Sequence, residues 1–201
     1  MKKYKEFIKT SVYTSIVNRQ KINEEFIENS YISIGEFLEQ IRIPDNGISE
    51  WWNDNSGKVV DKIYYFPFNT HEPIAGGIIG PREIAINAKL PMPPEMKLLL
   101  LIHESAHLLQ HEKQIFMGRY FDSVVNGNRE EFLEAYKELE QDANDYALKA
   151  VRELGFNRFE GPFEVMVRGN EQAGPMVYDM MRADIEKYNP KNIFELIRKQ
   201  I

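Results

Sequence analysis

No cysteine occurs among the 201 residues. Disulfides and thiolate metal ligands are therefore excluded, and any bound metal must be held through nitrogen and oxygen. A reducing compartment fits that composition. A surplus of positive charge is missing too: 25 Lys and Arg stand against 31 Asp and Glu, a net charge of −6. This argues against a nucleic-acid scaffold, because such proteins gather Lys and Arg to meet phosphates. No apolar run approaches the ~20 residues needed to span a bilayer. The start of the chain is basic, but Lys5, Glu6 and Lys9 interrupt what would have to be the apolar core of a signal peptide. The expectation is a soluble cytoplasmic protein without nucleic-acid or membrane partners. Repeats and low-complexity tracts are also absent, and this length suits one domain, 1–201, with a sizeable core.

Histidine is scarce, yet three of the four histidines fall within residues 93–116, PPEMKLLLLIHESAHLLQHEKQIF. That stretch contains His103, Glu104 and His107 in the order HExxH. On a helix, residues four apart share a face with Cβ atoms roughly 5–6 Å apart, close enough for two imidazoles to share one metal ion. Glu104 lies about 100° round the helix, badly placed as a ligand but able to take a proton from water at the metal. Pro93 and Pro94 suit a first turn, Glu95 suits the positive end of the helix dipole, and Gly118 is placed to cap the far end. Residues 98–102 are apolar all round, which predicts a buried helix. Buried histidines and a glutamate just beyond that run would be costly unless something pairs with them.

Around this centre the rest of the chain reads as a mainly helical α+β protein. Tyr4, Phe7, Ile8, Val12 and Ile16 predict an amphipathic first helix, and a short second helix is expected over 23–29. Ser33 and Glu36 form a capping box for a third, ended by 44–47. Trp51 and Trp52 are expected to cover the core beside a turn. The run 59–66, VVDKIYYF, reads as a strand, and 67–81, with Gly76, Gly77, Gly80 and His71, as a flexible connection. Residues 82–89 alternate as a half-buried strand does.

Beyond the histidine helix, 120–128 carries turn chemistry at Asn126 and Gly127. A long helix is expected from Asn128 as N-cap, with Glu131 three residues on, to Leu154 and Gly155. Phe163, Val165 and Val167 alternate, and two last helices are expected over 175–188 and 192–199.

Two histidines leave a catalytic zinc one protein ligand short. The metzincin arrangement needs Gly at 110 and His at 113, where this chain has Gln110 and Lys113. A carboxylate from the long helix remains, and Glu138, Glu140, Asp142 and Asp145 all lie on it. The run Glu140-Gln141-Asp142-Ala143-Asn144-Asp145-Tyr146-Ala147 resembles the E-x-E-A-N-x-F-A signature of the ImmA/IrrE metallopeptidase family, with Asp for the second Glu and Tyr for Phe. His103-Glu104-Ser105-Ala106-His107-Leu108-Leu109-Gln110-His111 resembles that family's HElGHlllH, with Ser105-Ala106 replacing the usual pair. Ile84-Ala85-Ile86-Asn87 is similar to its strand ending in Asn before the motif helix.

The resemblance covers about residues 60–155, the expected catalytic core, between helical segments at 1–55 and 156–201. It implies a zincin-like α+β fold with a small sheet beside the HExxH helix. It also implies zinc-dependent proteolysis of a protein or peptide, often an intracellular regulatory protein, with Zn2+ held by His103, His107 and the second-helix Glu. In metallopeptidases of this kind a strand placed like 82–89 is an edge that an extended substrate pairs with; pattern alone equally allows an interior strand. Family members beside DNA-binding repressors can carry a helix-turn-helix module, and none is found here.

Helix geometry separates Glu140 from Asp142, since residues two apart point about 200° away from each other. With Glu140 facing the metal, Asn144 shares its face and can orient a ligating histidine, while Asp142 falls to the surface or to a contact behind the ligands. His111 drifts away from His103 and His107 and is expected to hydrogen-bond or face solvent. The oxyanion donor is open among Tyr178, Arg168, His71 and Tyr146. The alternative to an endopeptidase is a non-proteolytic zinc sensor or partner-binding protein. Glu104 speaks against it, because a structural site has no use for a base.

Overall fold

The computed structural model describes residues 31–67, 75–80, 82–113 and 117–187. The helices expected over 1–20, 23–29 and 192–199, and His71, lie outside these residues. The described chain is mixed α+β, with seven α-helices and one four-stranded sheet. Its elements run β1 (Tyr31–Ile32), α1 (Ile34–Ile41), α2 (Ile48–Asp54), β2 (Lys62–Phe66), β3 (Gly76–Gly80), β4 (Glu83–Asn87), α3 (Pro94–Lys113), α4 (Met117–Asn126), α5 (Arg129–Glu153), α6 (Glu160–Gln172) and α7 (Gly174–Lys187).

The starts of α1 and α5 follow from their caps. Ser33 accepts from the Glu36 backbone N–H at 3.2 Å while Glu36 accepts from that of Ser33 at 2.7 Å, and Asn128 accepts from the Glu131 N–H at 3.2 Å. Gly155, with φ 75°, follows α5 in the left-handed conformation that ends helices. Trp51 and Trp52 lie on α2 and cover the core as expected: Trp52 is buried in it, and Trp51 packs against it and donates from Nε1 to Glu153 at 2.7 Å.

The sheet order is β1-β2-β4-β3, with β2 parallel to β4 and the other pairs antiparallel. This corrects one expectation and decides between two readings of another segment. Residues 76–80 are a strand rather than a loose connection, and 83–87 takes the interior position rather than the edge. Glycine-rich GGIIG has little strand preference of its own, so its pairing is supplied by the free side of β4. A Cβ at Gly76 would lie 2.9 Å from the Ala85 carbonyl oxygen, so the close approach requires glycine. Because β4 has partners on both sides and is covered on both faces, Ile84, Ala85, Ile86 and Asn87 are all buried. Val59 and Val60 follow a short 3-10 turn, Ser56–Lys58, and precede β2 rather than opening the strand.

Ile84 and Ile86 join Leu98 to Ile102 of α3 and Ala147, Ala150 and Val151 of α5 in the main core. The small residues Ala143, Ala147 and Ala150 are fully buried where α3 and α5 pack most extensively. Alanine on this face lets the two helices approach closely. Behind α3, Ser105 Oγ lies 2.7 Å from Ser56 Oγ, which lies 3.1 Å from the Tyr146 hydroxyl. This chain of buried hydroxyls joins the turn before β2, α3 and α5.

Residues 117–126 form α4, with the turn confined to Gly127 after its last residue, Asn126, so Gly118 lies within a helix instead of capping α3. Phe121 and Val124 are buried on it, and tertiary packing overrides the weak helix propensity of this stretch. Phe163 and Val165 belong to α6, where one is fully buried and the other 73% exposed. Their alternation therefore marks opposite sides of a helix.

Candidate metal centre

Four-residue spacing on α3 brings His103 and His107 to one face, and α5 crosses that face at Glu140. The two Nε2 atoms lie 3.2 Å apart; His103 Nε2 is 3.4 Å from Glu140 Oε2, and His107 Nε2 is 3.6 Å from Glu140 Oε1. Two imidazoles and a carboxylate thus form a buried group that could hold one metal ion. Glu140 Oε2 is buried without a hydrogen-bond partner. An acceptor left that way is costly unless a cation or donor meets it, so the residues fit a metal. Phe163 of α6 covers His103, ring to ring at 6.5 Å.

Burial pushes the Glu140 carboxyl up, but the His103 and His107 rings and the Tyr136 hydroxyl outweigh it and the net shift is downward. Glu140 is therefore held as a carboxylate, the form a metal needs. Glu104 is not among the three converging donors. Burial pushes its carboxyl up to about 7, with His107 acting in the opposite direction and Glu140 adding to the rise. A carboxyl in that range is suited to taking and returning a proton near neutrality.

The three residues expected as ligands, His103, His107 and Glu140, meet here, and Asp142 does not join them. It accepts instead from Gln110 Nε2 at 2.8 Å. Gln110 also lies 2.9 Å from His107 Nδ1, so the contact behind this histidine comes from α3 itself. The expected Asn144 contact is not formed: Asn144 Oδ1 and His103 Nδ1 are both buried without partners. His111 is half-buried in the last turn of α3 and is not one of the donors.

Of the candidate oxyanion donors, Tyr146 is turned to Ser56 behind α3, and Tyr178 packs on Phe132 at 5.1 Å. Arg168 lies on α6. The hydroxyl that reaches the centre belongs to Tyr136, which hydrogen-bonds Glu140 from one turn earlier on α5. Burial, reinforced by the Glu140 charge, raises its hydroxyl well above the usual tyrosine range, so it remains a donor. Sequence reasoning missed Tyr136 and the Gln110 contact. The four-residue interval from Tyr136 to Glu140 and the three-residue interval from His107 to Gln110 were the available signals.

No family model, curated protein or solved structure matches the chain. Among the described residues, no helix is long and apolar enough to cross a membrane.

Proposed function

We propose that the protein is a zinc-dependent endopeptidase acting on a protein or peptide. The observation that carries this reading is the convergence of His103, His107 and Glu140, with Glu104 placed on the same helix between the two histidines. Tetrahedral zinc with bonds of ~2.0–2.1 Å has ligand–ligand separations of about 3.3–3.4 Å. The two Nε2 atoms are 3.2 Å apart, close to that separation, and each has a Glu140 oxygen at a similar distance, Oε2 at 3.4 Å from His103 and Oε1 at 3.6 Å from His107.

His103, His107 and Glu140 would hold the ion. When bound, zinc supplies Lewis-acid polarisation of the scissile carbonyl and acidifies water. Glu104 accepts the proton of the attacking water and returns it to the leaving amide nitrogen. Its placement outside the donor group and its raised protonation range support that role. Strand β3 contacts α3 and, among the described residues, pairs on one side only. Its outer side is the place for an extended substrate to add as a strand.

The test is zinc content of protein purified without added metal, paired with cleavage of co-expressed candidate proteins. The reading expects about one zinc per chain, lost on changing both histidines to Ala, and cleavage abolished by Glu104→Gln. Zinc retained with no cleavage of any candidate would favour the binding-protein alternative.

A further inference from the structure

Gln110, buried one turn beyond His107, has its side-chain amide in three contacts. Nε2 lies 2.9 Å from the Leu139 carbonyl and 2.8 Å from Asp142 Oδ2, both on α5, and Oε1 lies 2.9 Å from His107 Nδ1. A backbone carbonyl carries no proton, and neither does an ionised carboxylate, so both α5 groups only accept. The end of the amide that faces them must be its NH2, and its two hydrogens are both engaged. Its oxygen is thereby fixed toward His107, where an acceptor requires a proton on Nδ1. A neutral imidazole has one such proton. Nε2 is left with its lone pair, and Nε2 is the atom that points at His103 and Glu140.

We propose that Gln110 is a positioning residue that carries orientation from α5 to the metal centre. Leu139 and Asp142 set the direction of its amide, and the amide sets the ring and tautomer of His107 in the form that binds metal. The two histidines are therefore not equivalent, since His103 Nδ1 is buried with no such partner. The inference rests on the metal reading above and adds which residue prepares one of its ligands. Outer hydrogen bonds of this kind commonly alter metal affinity by about 10–100-fold.

Two measurements on the full chain test it. In metal-free, 15N-labelled protein at pH 8, two-bond proton–nitrogen correlations should show His107 protonated on Nδ1. A wild-type His107 protonated on Nε2 would overturn the proposal, whether or not any variant folds. In chelator competition, Gln110→Glu, which keeps the shape but removes both donors, should weaken zinc binding about tenfold or more. Adding Asp142→Asn returns a donor to the relay and should recover severalfold of that loss. Zinc binding within twofold of wild type for Gln110→Glu would also overturn the proposal. A chain that shows the Nδ1–H tautomer yet binds no zinc would defeat the metal reading while leaving the tautomer assignment intact.

Discussion

The Tyr136 hydroxyl and the Glu140 carboxylate are hydrogen-bonded across one turn of α5, and Glu140 is the one acid of that helix that meets both histidines. The bond helps keep Glu140 ionised in a buried position where desolvation opposes its charge. Tyr136→Phe removes the hydroxyl and little volume. Zinc affinity should fall by about tenfold, the usual scale for losing a contact behind a ligand. Unchanged affinity in chelator competition would show that the hydroxyl does not support the ligand.

Glu140 and Asp142 should separate sharply in mutagenesis. Glu140→Ala removes a donor and should reduce zinc binding by orders of magnitude. Asp142→Ala acts only through Gln110, which keeps the Leu139 carbonyl as a second anchor, so its loss should be much smaller. Isothermal titration with zinc gives the ranking, and the reverse order would mean that α5 is rotated from the described position.

Glu104 predicts a pH dependence for the metal-free protein. Its carboxyl lies at about 7 in the folded chain against an ordinary 4.5, so folding favours the protonated form. Its contribution to stability is complete below about pH 4.5 and is lost as pH rises toward 7. Glu104→Gln has no charge to bury. Its stability advantage over the metal-free wild type should grow across that window to about 1–3 kcal/mol, and stay level above it. Thermal melts at pH 5, 6, 7 and 8 check this; a difference that does not vary with pH would contradict it.

The hydroxyls behind α3 should govern stability and leave the metal untouched. Ser56→Ala breaks the link between Ser105 and Tyr146 inside the core, and should cost about 1–3 kcal/mol. Tyr146→Phe should act in the same direction, by about 1 kcal/mol. Neither should shift zinc affinity by more than about twofold, because Tyr146 faces Ser56 rather than the donors. A large fall in affinity for Tyr146→Phe, with stability unchanged, would reverse that assignment.

The parts legible in sequence were those encoded by neighbours along the chain. The spacing of His103 and His107, the caps at Ser33 and Asn128, the end of α5 near Gly155 and the choice of Glu140 over Asp142 all follow from helical periodicity, which adjacent residues fix among themselves. Tertiary structure alone decided the rest. GGIIG becomes a strand only because β4 leaves a side free, and that pairing is what puts β4 inside the sheet. Residues 117–126 become helical where Phe121 and Val124 find a buried surface. Gln110 reads as an ordinary polar residue until α5 brings Leu139 and Asp142 within reach of its amide. A helix face is set by intervals of three and four residues, whereas the group that meets that face comes from 29 or 32 positions away, at a distance only packing can close.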